Sequence, residues 1–111
     1  MQGGDSCRLI AINLYSFVDN PFTDEASFNY KKFYKVAYES QRLMDDLVDL
    51  ELEAVDKIFN KIMHDSEPDS IKKVEIDTWK LLYKTGKKGR RTGLGFTALA
   101  DTVAALGKKF D

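Results

Sequence analysis

Cys7 is the residue of this sequence best suited to redox chemistry, and it is the only cysteine. A thiol exchanges through its thiolate, so its function depends on solvent access and on nearby charge. Cys7 lies in the apolar stretch SCRLIAINLYSFV, where a solitary cysteine is most often an inert core residue. Spacing alone therefore favours the inert interpretation, and one cysteine cannot form an internal disulfide framework.

Carboxylates crowd the middle of the chain at helical spacing. Asp45, Asp49 and Glu53 are four residues apart and would share one helix face, a pattern that could serve metal binding or acid–base chemistry. No Glu-x-x-His pair accompanies them, as a carboxylate metal site in a helix bundle would require. We interpret these carboxylates, with Asp46 and Glu51, as the solvated face of a long helix, and we expect no metal site.

The stretch GRRTGLGFTALADTVAALG, residues 89–107, opens with two arginines between glycines. Arg90 and Arg91 could hold an anion at a helix start. A dinucleotide fingerprint needs a third glycine after a strand, and a P-loop needs a Gly-Lys-Ser/Thr ending; both are absent. The favoured alternative is that Gly93, Gly95 and the alanines after them let a helix lie close to another backbone.

Composition excludes several function classes. The chain has 111 residues, 43% of them hydrophobic, with a net charge of −1, which argues against disorder and against a global attraction to nucleic acid or anionic membrane. The basic cluster between Lys84 and Arg91 lacks the interleaved aromatic residues that stack on bases. No apolar run approaches the ~20 residues of a membrane span, and MQGGDSCRL lacks a secretory apolar region. These features indicate a reduced, cytoplasmic protein.

One strand and three helices are expected to position these residues, which predicts a mainly α chain forming a single segment, 1–111. Residues 6–18 are predicted to form a strand or extended arm whose two faces are both largely apolar, and nothing else reads as a second strand. Helices are predicted over 26–63, 67–85 and 94–106, with a loop at TGKKG between the last two.

The apolar spacing also predicts which helix faces are buried. At about 1.5 Å per residue the first helix would span about 54 Å, so a break is conceivable. The main apolar row of the first helix consists of Phe33, Val36, Leu43, Leu47, Leu50, Ala54, Ile58 and Ile62. The flanking apolar set consists of Met44, Val48, Leu52, Val55, Phe59 and Met63. The expected core residues of the other two helices are Ile71, Val74, Trp79 and Leu82, and Phe96, Leu99, Val103 and Leu106.

Three blocks of the sequence resemble the catalytic chain of ribonucleotide reductases. They are SCRLIAINLYSFVDNPFT, YESQRLMDDLVDLELEAVDKI and GRRTGLGFTALADTVAALG, which occur in the family's order and extend the similarity over about residues 5–111. The resemblance is closest to the adenosylcobalamin-dependent class II branch, which implies adenosylcobalamin as the cofactor of the parent enzyme. It also implies an origin in a ten-stranded α/β barrel that holds a thiyl-radical active site.

The resemblance implies a catalytic role for Cys7 and reverses the inert interpretation. In the family, a cysteine radical abstracts the ribose 3′-hydrogen and two further cysteines supply the reducing equivalents; Cys7 matches one of that redox pair. The Asn-x-Cys-x-Glu loop of the radical cysteine is absent here, as is any second cysteine. We therefore expect an internal fragment of a reductase, from a split gene or an excised piece, that does not reduce ribonucleotides alone.

Partners follow from the same resemblance. The fragment is expected to need the remaining parts of the reductase chain, and its apolar strand is expected to pair with a second copy, fold back on the helices or stay poorly ordered. Of these three possibilities, self-association is the one we favour. One alternative is a stand-alone helical protein-interaction module with a historical likeness to the enzyme, and another is a nucleotide-binding helical domain that uses Arg90 and Arg91.

Overall fold

The computed structural model describes residues 3–111, and Met1 and Gln2 of the expected single segment lie outside the described residues. The described chain is mainly helical, as predicted. Its elements are β1 (Arg8–Asn13), a 3-10 helix (Leu14–Phe17), β2 (Val18–Asp19), β3 (Ser27–Phe28), α1 (Tyr30–Met63), α2 (Asp69–Gly89), β4 (Thr92–Thr97) and α3 (Leu99–Ala105).

The described chain divides into two compact units, which we describe separately. The first unit contains residues 3–8 and 44–92, and the second contains residues 9–43 and 93–111. Helix α1 contributes residues to both units. No helix among residues 3–111 is long and apolar enough to cross a membrane.

Helix α1 runs unbroken from Tyr30 to Met63, so the conceivable break does not occur. Its start is fixed by Asn29, whose side-chain oxygen accepts a hydrogen bond from the Lys32 amide at 3.0 Å. No proline or glycine interrupts the 34 residues, and Pro68 follows in the connection to α2. The backbone signals in the sequence therefore set the extent of this helix.

The buried face of α1 is a correction to the predicted main row. Leu43, Leu47 and Leu50 of that row are exposed, at 55%, 40% and 59%. The buried residues come mostly from the flanking set, together with one member of the row: Met44, Val48, Val55 and Ile62. Periodicity gave the width of the apolar arc, but the side on which neighbours pack depends on the rest of the fold.

Helix α2 extends through the residues that were predicted as a loop. TGKKG is helical to Gly89, and the chain leaves the helix at Arg90, which has a left-handed φ of 42° and whose amide donates to the Gly86 carbonyl. A Cβ on Gly86 would lie 3.6 Å from a Leu52 side-chain carbon, so this glycine sits at a close approach to α1. Of the expected core face of α2, Ile71 and Val74 are exposed, whereas Trp79 and Leu82 are half-buried.

Strand β1 is shorter than the predicted strand 6–18, and it has a partner in the chain. β1 pairs with β4, and β4 occupies residues that were predicted to begin the helix 94–106. The prediction of a single strand is therefore wrong. The glycines of TGLGFT lower helix propensity, and β1 supplies the hydrogen bonds that make the segment a strand.

Aromatic rings form the core of the second unit. The ring of Phe17, which is 5% exposed, lies 6.1 Å from the ring of Phe28 and 5.5 Å from that of Phe33. The Asn29 amide donates to the Phe17 carbonyl at 2.7 Å, and β2 pairs with β3 in antiparallel register with Val18 opposite Phe28. Burial of these rings stabilises the packing of the start of α1 on the 3-10 helix.

Helix α3 is short, and its buried face differs from the predicted one. Thr102 and Ala105 are buried, whereas Leu99 is 40% exposed and Phe96 lies in β4 with 58% exposure. The helix follows Ala98, which has a left-handed φ of 60°. The helix is followed by Gly107 at a φ of 72°, the left-handed conformation that glycine commonly adopts after the end of a helix.

Candidate functional site

Cys7 lies immediately before β1 and is exposed, which contradicts the inert-core interpretation. Exposure alternates around it: Ser6 and Arg8 are half-buried, while Leu9 is 78% exposed. Such alternation is the period of an extended chain, in which successive side chains point to opposite faces. The backbone therefore turns Ser6 and Arg8 inward and presents the thiol outward. Its predicted redox role stays a prediction.

The segment that carries Cys7 is tied to the first unit on both sides. Before the thiol, Asp5 forms an ion pair with Arg91, and its side chain is only 2% exposed. After the thiol, Arg8 forms an ion pair with Glu51 of α1, and the Arg8 amide donates to the Arg91 carbonyl at 3.3 Å. A buried carboxylate needs such a partner, so the Asp5–Arg91 pair fixes where the chain enters the unit.

Arg90 binds the carboxylate face of α1. Its guanidinium donates to one Asp45 carboxylate oxygen at 2.8 Å and to one Asp49 oxygen at the same distance, and also to the Asp45 carbonyl at 3.2 Å. The hydrogen bond to Asp49, followed by that to Asp45, raises the pKa of Arg90 above its ordinary value, so it is permanently charged. Asp45 and Asp49 are therefore ion-pair partners and not merely solvated.

These pairings bear on the anion-binding alternative, because both candidate arginines already have carboxylate partners. The cavity beside them is lined by Asp5, Thr85, Lys88, Gly89 and Arg91 and has a volume of about 180 Å³. That is below the ~300–1,000 Å³ of typical small-molecule sites. It also contains a carboxylate and lies at the C-terminal end of α2, where the helix dipole disfavours anions.

Among residues 3–111, no group of three or more histidine, cysteine, aspartate or glutamate side chains is arranged to hold a metal ion. The carboxylates of α1 divide instead between different partners. Asp45 and Asp49 bind Arg90, whereas Glu51 binds Arg8 and Ser6. The chemistry of this face, within the described chain, is that of ion pairing.

The predicted packing role of the glycines in residues 89–107 is a further correction. Gly95 lies in β4, and a Cβ added there would meet nothing within 4 Å. An open apolar depression instead crosses the sheet of the second unit, lined by Leu9, Ile10, Ala11, Gly93, Leu94 and Gly95. The glycines thus leave a surface open where a close helix contact was expected.

Glu51 was interpreted from the sequence as a solvated carboxylate, whereas it contacts both residues that flank Cys7. The Ser6 hydroxyl donates to Glu51 Oε1 at 3.2 Å, and Arg8 forms an ion pair with Glu51 Oε2. No local signal identifies this residue, since its partners lie more than forty positions away in the chain. A weak signal is that Glu51 stands in a helix among apolar residues, between Leu50 and Leu52.

In a comparison with protein families, the barrel domain of ribonucleotide reductase matches residues 2–111 of this chain. No curated protein and no solved structure matches this chain. The family match covers almost the whole sequence, including Cys7 and all three blocks on which the resemblance depends.

Proposed function

Because this chain belongs to the ribonucleotide reductase family and matches its barrel domain, we propose that it is part of a ribonucleoside reductase in which Cys7 is one thiol of the reducing pair. The single observation that carries this proposal is an exposed cysteine, on a segment anchored by ion pairs, within a chain of this family. The oxidoreductase class and a role in deoxyribonucleotide synthesis follow from the family.

The proposed chemistry balances with two thiols per turnover. A radical cysteine elsewhere in the complete enzyme removes the ribose 3′-hydrogen and later returns it. The 2′-hydroxyl leaves as water, and Cys7 with its partner cysteine supplies two electrons and two protons and becomes a disulfide. An external dithiol must then reduce that disulfide, so access to the Cys7 sulfur matters. A reducing cytoplasm suits this cycle.

We further propose that these 111 residues do not reduce ribonucleotides alone. The cycle needs a radical cysteine and a pair of reducing cysteines, and this sequence contains one cysteine in total. The remaining parts of the reductase would supply the others. Purified chain that produced deoxyribonucleotides without added protein would contradict this proposal.

Replacement of Cys7 tests the role of the thiol. In a complete reductase that contains this segment, Cys7→Ser is expected to abolish multiple turnovers, because serine cannot form the disulfide. The change is small and the side chain is exposed, so the fold should be retained, as circular dichroism would check. Ser16→Ala, at another exposed position in the same N-terminal segment, is the matched control. Normal turnover by Cys7→Ser would overturn the assignment.

The adenosylcobalamin cofactor remains a proposal for the complete enzyme. The cavity beside the Cys7 segment, at about 180 Å³, is small even for a drug-sized ligand, and a corrinoid is much larger. This cavity by itself is therefore not a cobalamin site. Turnover of the complete enzyme that depends on added adenosylcobalamin, without a second metal-containing subunit, would support class II over class I.

We also propose that the isolated chain self-associates. Leu9 is 78% exposed and Phe96 is 58% exposed, although both lie in paired strands. At ~25 cal/mol per Å² of apolar area, covering such side chains is worth several kcal/mol. In a complete barrel the missing parts would cover them. Sedimentation that shows only monomer at high protein concentration would contradict this proposal.

A further inference from the structure

One carboxylate contacts both chain neighbours of Cys7. Glu51 accepts from the Ser6 hydroxyl through Oε1 at 3.2 Å, and it forms an ion pair with Arg8 through Oε2. The Arg8 side chain is 11% exposed and that of Glu51 is 46% exposed, so only the guanidinium of this pair is shielded from water, and Cys7 is exposed. The residue between two inward side chains must point outward, so Glu51 holds both flanks of the thiol.

Contacts that do not involve Glu51 also hold the backbone on both sides of Cys7. The Ser6 amide donates to Asp5 Oδ1 at 3.0 Å, and the Arg8 amide donates to the Arg91 carbonyl at 3.3 Å. Asp5 is itself paired with Arg91. Loss of the Glu51 charge therefore leaves main-chain anchors on both sides of Cys7, and its effect on the thiol can be separated from unfolding.

The charges around the Cys7 segment are arranged in opposite pairs. Arg8 is matched by Glu51 of α1, and Arg91 is matched by Asp5; Lys88 of α2 lines the cavity beside the second pair. Arg8 is the cation next to Cys7 in the chain. An uncompensated cation favours the thiolate, whereas a paired one does so much less. In the proposed reaction the thiol must donate a proton as well as an electron, which requires the S–H form.

We propose that Glu51 is the positioning residue for Cys7: it fixes both flanking side chains and pairs with Arg8, so that the thiol is presented outward with no uncompensated cation next to it in the chain. This inference rests on the proposed redox role of Cys7. Glu51 itself touches no reacting atom in this arrangement and acts through Ser6 and Arg8.

The test uses the chain itself, because Cys7 is its only cysteine and reports alone in a thiol assay. The rate of alkylation by iodoacetamide is measured against pH for the native chain and for Glu51→Gln, which keeps the shape of the side chain. Because the Arg8 side chain lies on the face opposite to the thiol, we expect a modest effect: the Glu51→Gln profile should shift to lower pH by a few tenths of a unit, with roughly two-fold faster alkylation at neutral pH.

Two further variants make the result specific. Arg8→Met leaves Glu51 without its cation and is expected to shift the profile in the opposite direction, to higher pH. The matched control is Glu53→Gln, which removes the same charge from an exposed position two residues along α1 and is expected to leave the profile unchanged. The double variant Glu51→Gln/Arg8→Met is expected to return close to the native profile.

A Glu51→Gln profile that coincides with that of Glu53→Gln would overturn the proposal. A uniform increase in rate at every pH, with no shift in midpoint, would also overturn it, because that result indicates only greater exposure. The outcome is independent of reductase activity: if these shifts occur but Cys7→Ser still supports normal turnover in the complete enzyme, the redox assignment fails while the charge balance stands.

Discussion

Both compact units of this chain bury apolar side chains, but they differ in the contacts that connect distant segments. In the unit of residues 3–8 and 44–92, ion pairs connect segments distant in sequence: Arg8 with Glu51, Arg91 with Asp5, and Arg90 with Asp45 and Asp49. In the unit of residues 9–43 and 93–111, packed aromatic rings and backbone hydrogen bonds do so. The stability of the unit that carries Cys7 should therefore respond to salt as well as to changes in side-chain volume, and that of the other unit mainly to changes in volume.

Phe17→Ala should give the largest effect, because it removes the ring at the centre of the aromatic cluster. Burial of 95% of this residue and contacts with two other rings lead us to expect a loss of about 3–5 kcal/mol in the free energy of unfolding, measured by denaturant titration. Tyr34→Ala, at a 73% exposed position on α1, is the control and should change it by less than about 0.5 kcal/mol. Equal losses in both variants would refute an aromatic core.

Two glycine substitutions, one in each unit, should change the free energy of unfolding in opposite directions. Gly107→Ala places a Cβ at a φ of 72° and should cost about 1 kcal/mol, although nothing lies within 4 Å. Gly86→Ala, inside α2, gains helix propensity and meets Leu52 at an ordinary 3.6 Å, so it should stabilise by about 0.5–1 kcal/mol. Thermal unfolding measures both. Destabilisation by Gly86→Ala would show that the approach of Leu52 is tighter than this distance.

Salt should distinguish the first unit through Arg90. Exposed ion pairs are screened by salt, so part of the stability of the native chain should fall as sodium chloride rises. Arg90→Gln should lower the melting temperature at low salt and reduce its dependence on salt. The exposed Arg42→Gln, on the part of α1 that belongs to the second unit, is the control for loss of one positive charge. If the melting temperatures of both variants depended on salt in the same way, the ion pairs of Arg90 would not contribute to stability.

The smallest effect concerns Glu67 and Glu75 in the first unit. The negative charge of Glu75 raises the pKa of Glu67 above its ordinary value of 4.5, with smaller contributions from burial and from Asp65. Repulsion thus reduces stability at pH above the folded pKa, and this cost disappears as pH falls through it. Glu75→Gln should lower the pKa of Glu67, as NMR titration would measure; Asp65→Asn should lower it less. The reverse order would contradict the assignment of the main cause.

Local signals in the sequence were sufficient to predict three helices, but not the bounds of the last two or the contacts between segments. The absence of proline and glycine predicted α1, and the wide apolar arc included the residues that are buried. The sequence could not predict which side of the arc is buried, because Leu47 and Val48 are similarly apolar. In the structure, Val48 is fully buried and Leu47 is 40% exposed. Residues 94–97 of the TGLGFT strand were predicted as helix, since the partner strand β1 lies near the other end of the sequence.

The same limit applies to the candidate site. Cys7 was predicted as a redox residue from its type and from the family resemblance; the match to the barrel domain confirms the family, and the role of Cys7 stays a prediction. The role of Glu51 could not be, because a carboxylate on a helix looks solvated until Ser6 and Arg8 are placed against it. Arg90 and Arg91 suggested an anion, whereas the actual negative charges come from the protein itself.

The hydrogen bond from the Phe22 amide to the Ala105 carbonyl has a consequence for the order of folding. Helix α3 has seven residues, too few to persist alone in water, so it needs a contact made by a loop at the other end of the chain. Contacts between residues far apart in the sequence, such as this one, form more slowly than contacts between two helices that are adjacent in the sequence. Refolding should therefore be biphasic, with α1 and α2 gaining protection early and the C-terminal residues last.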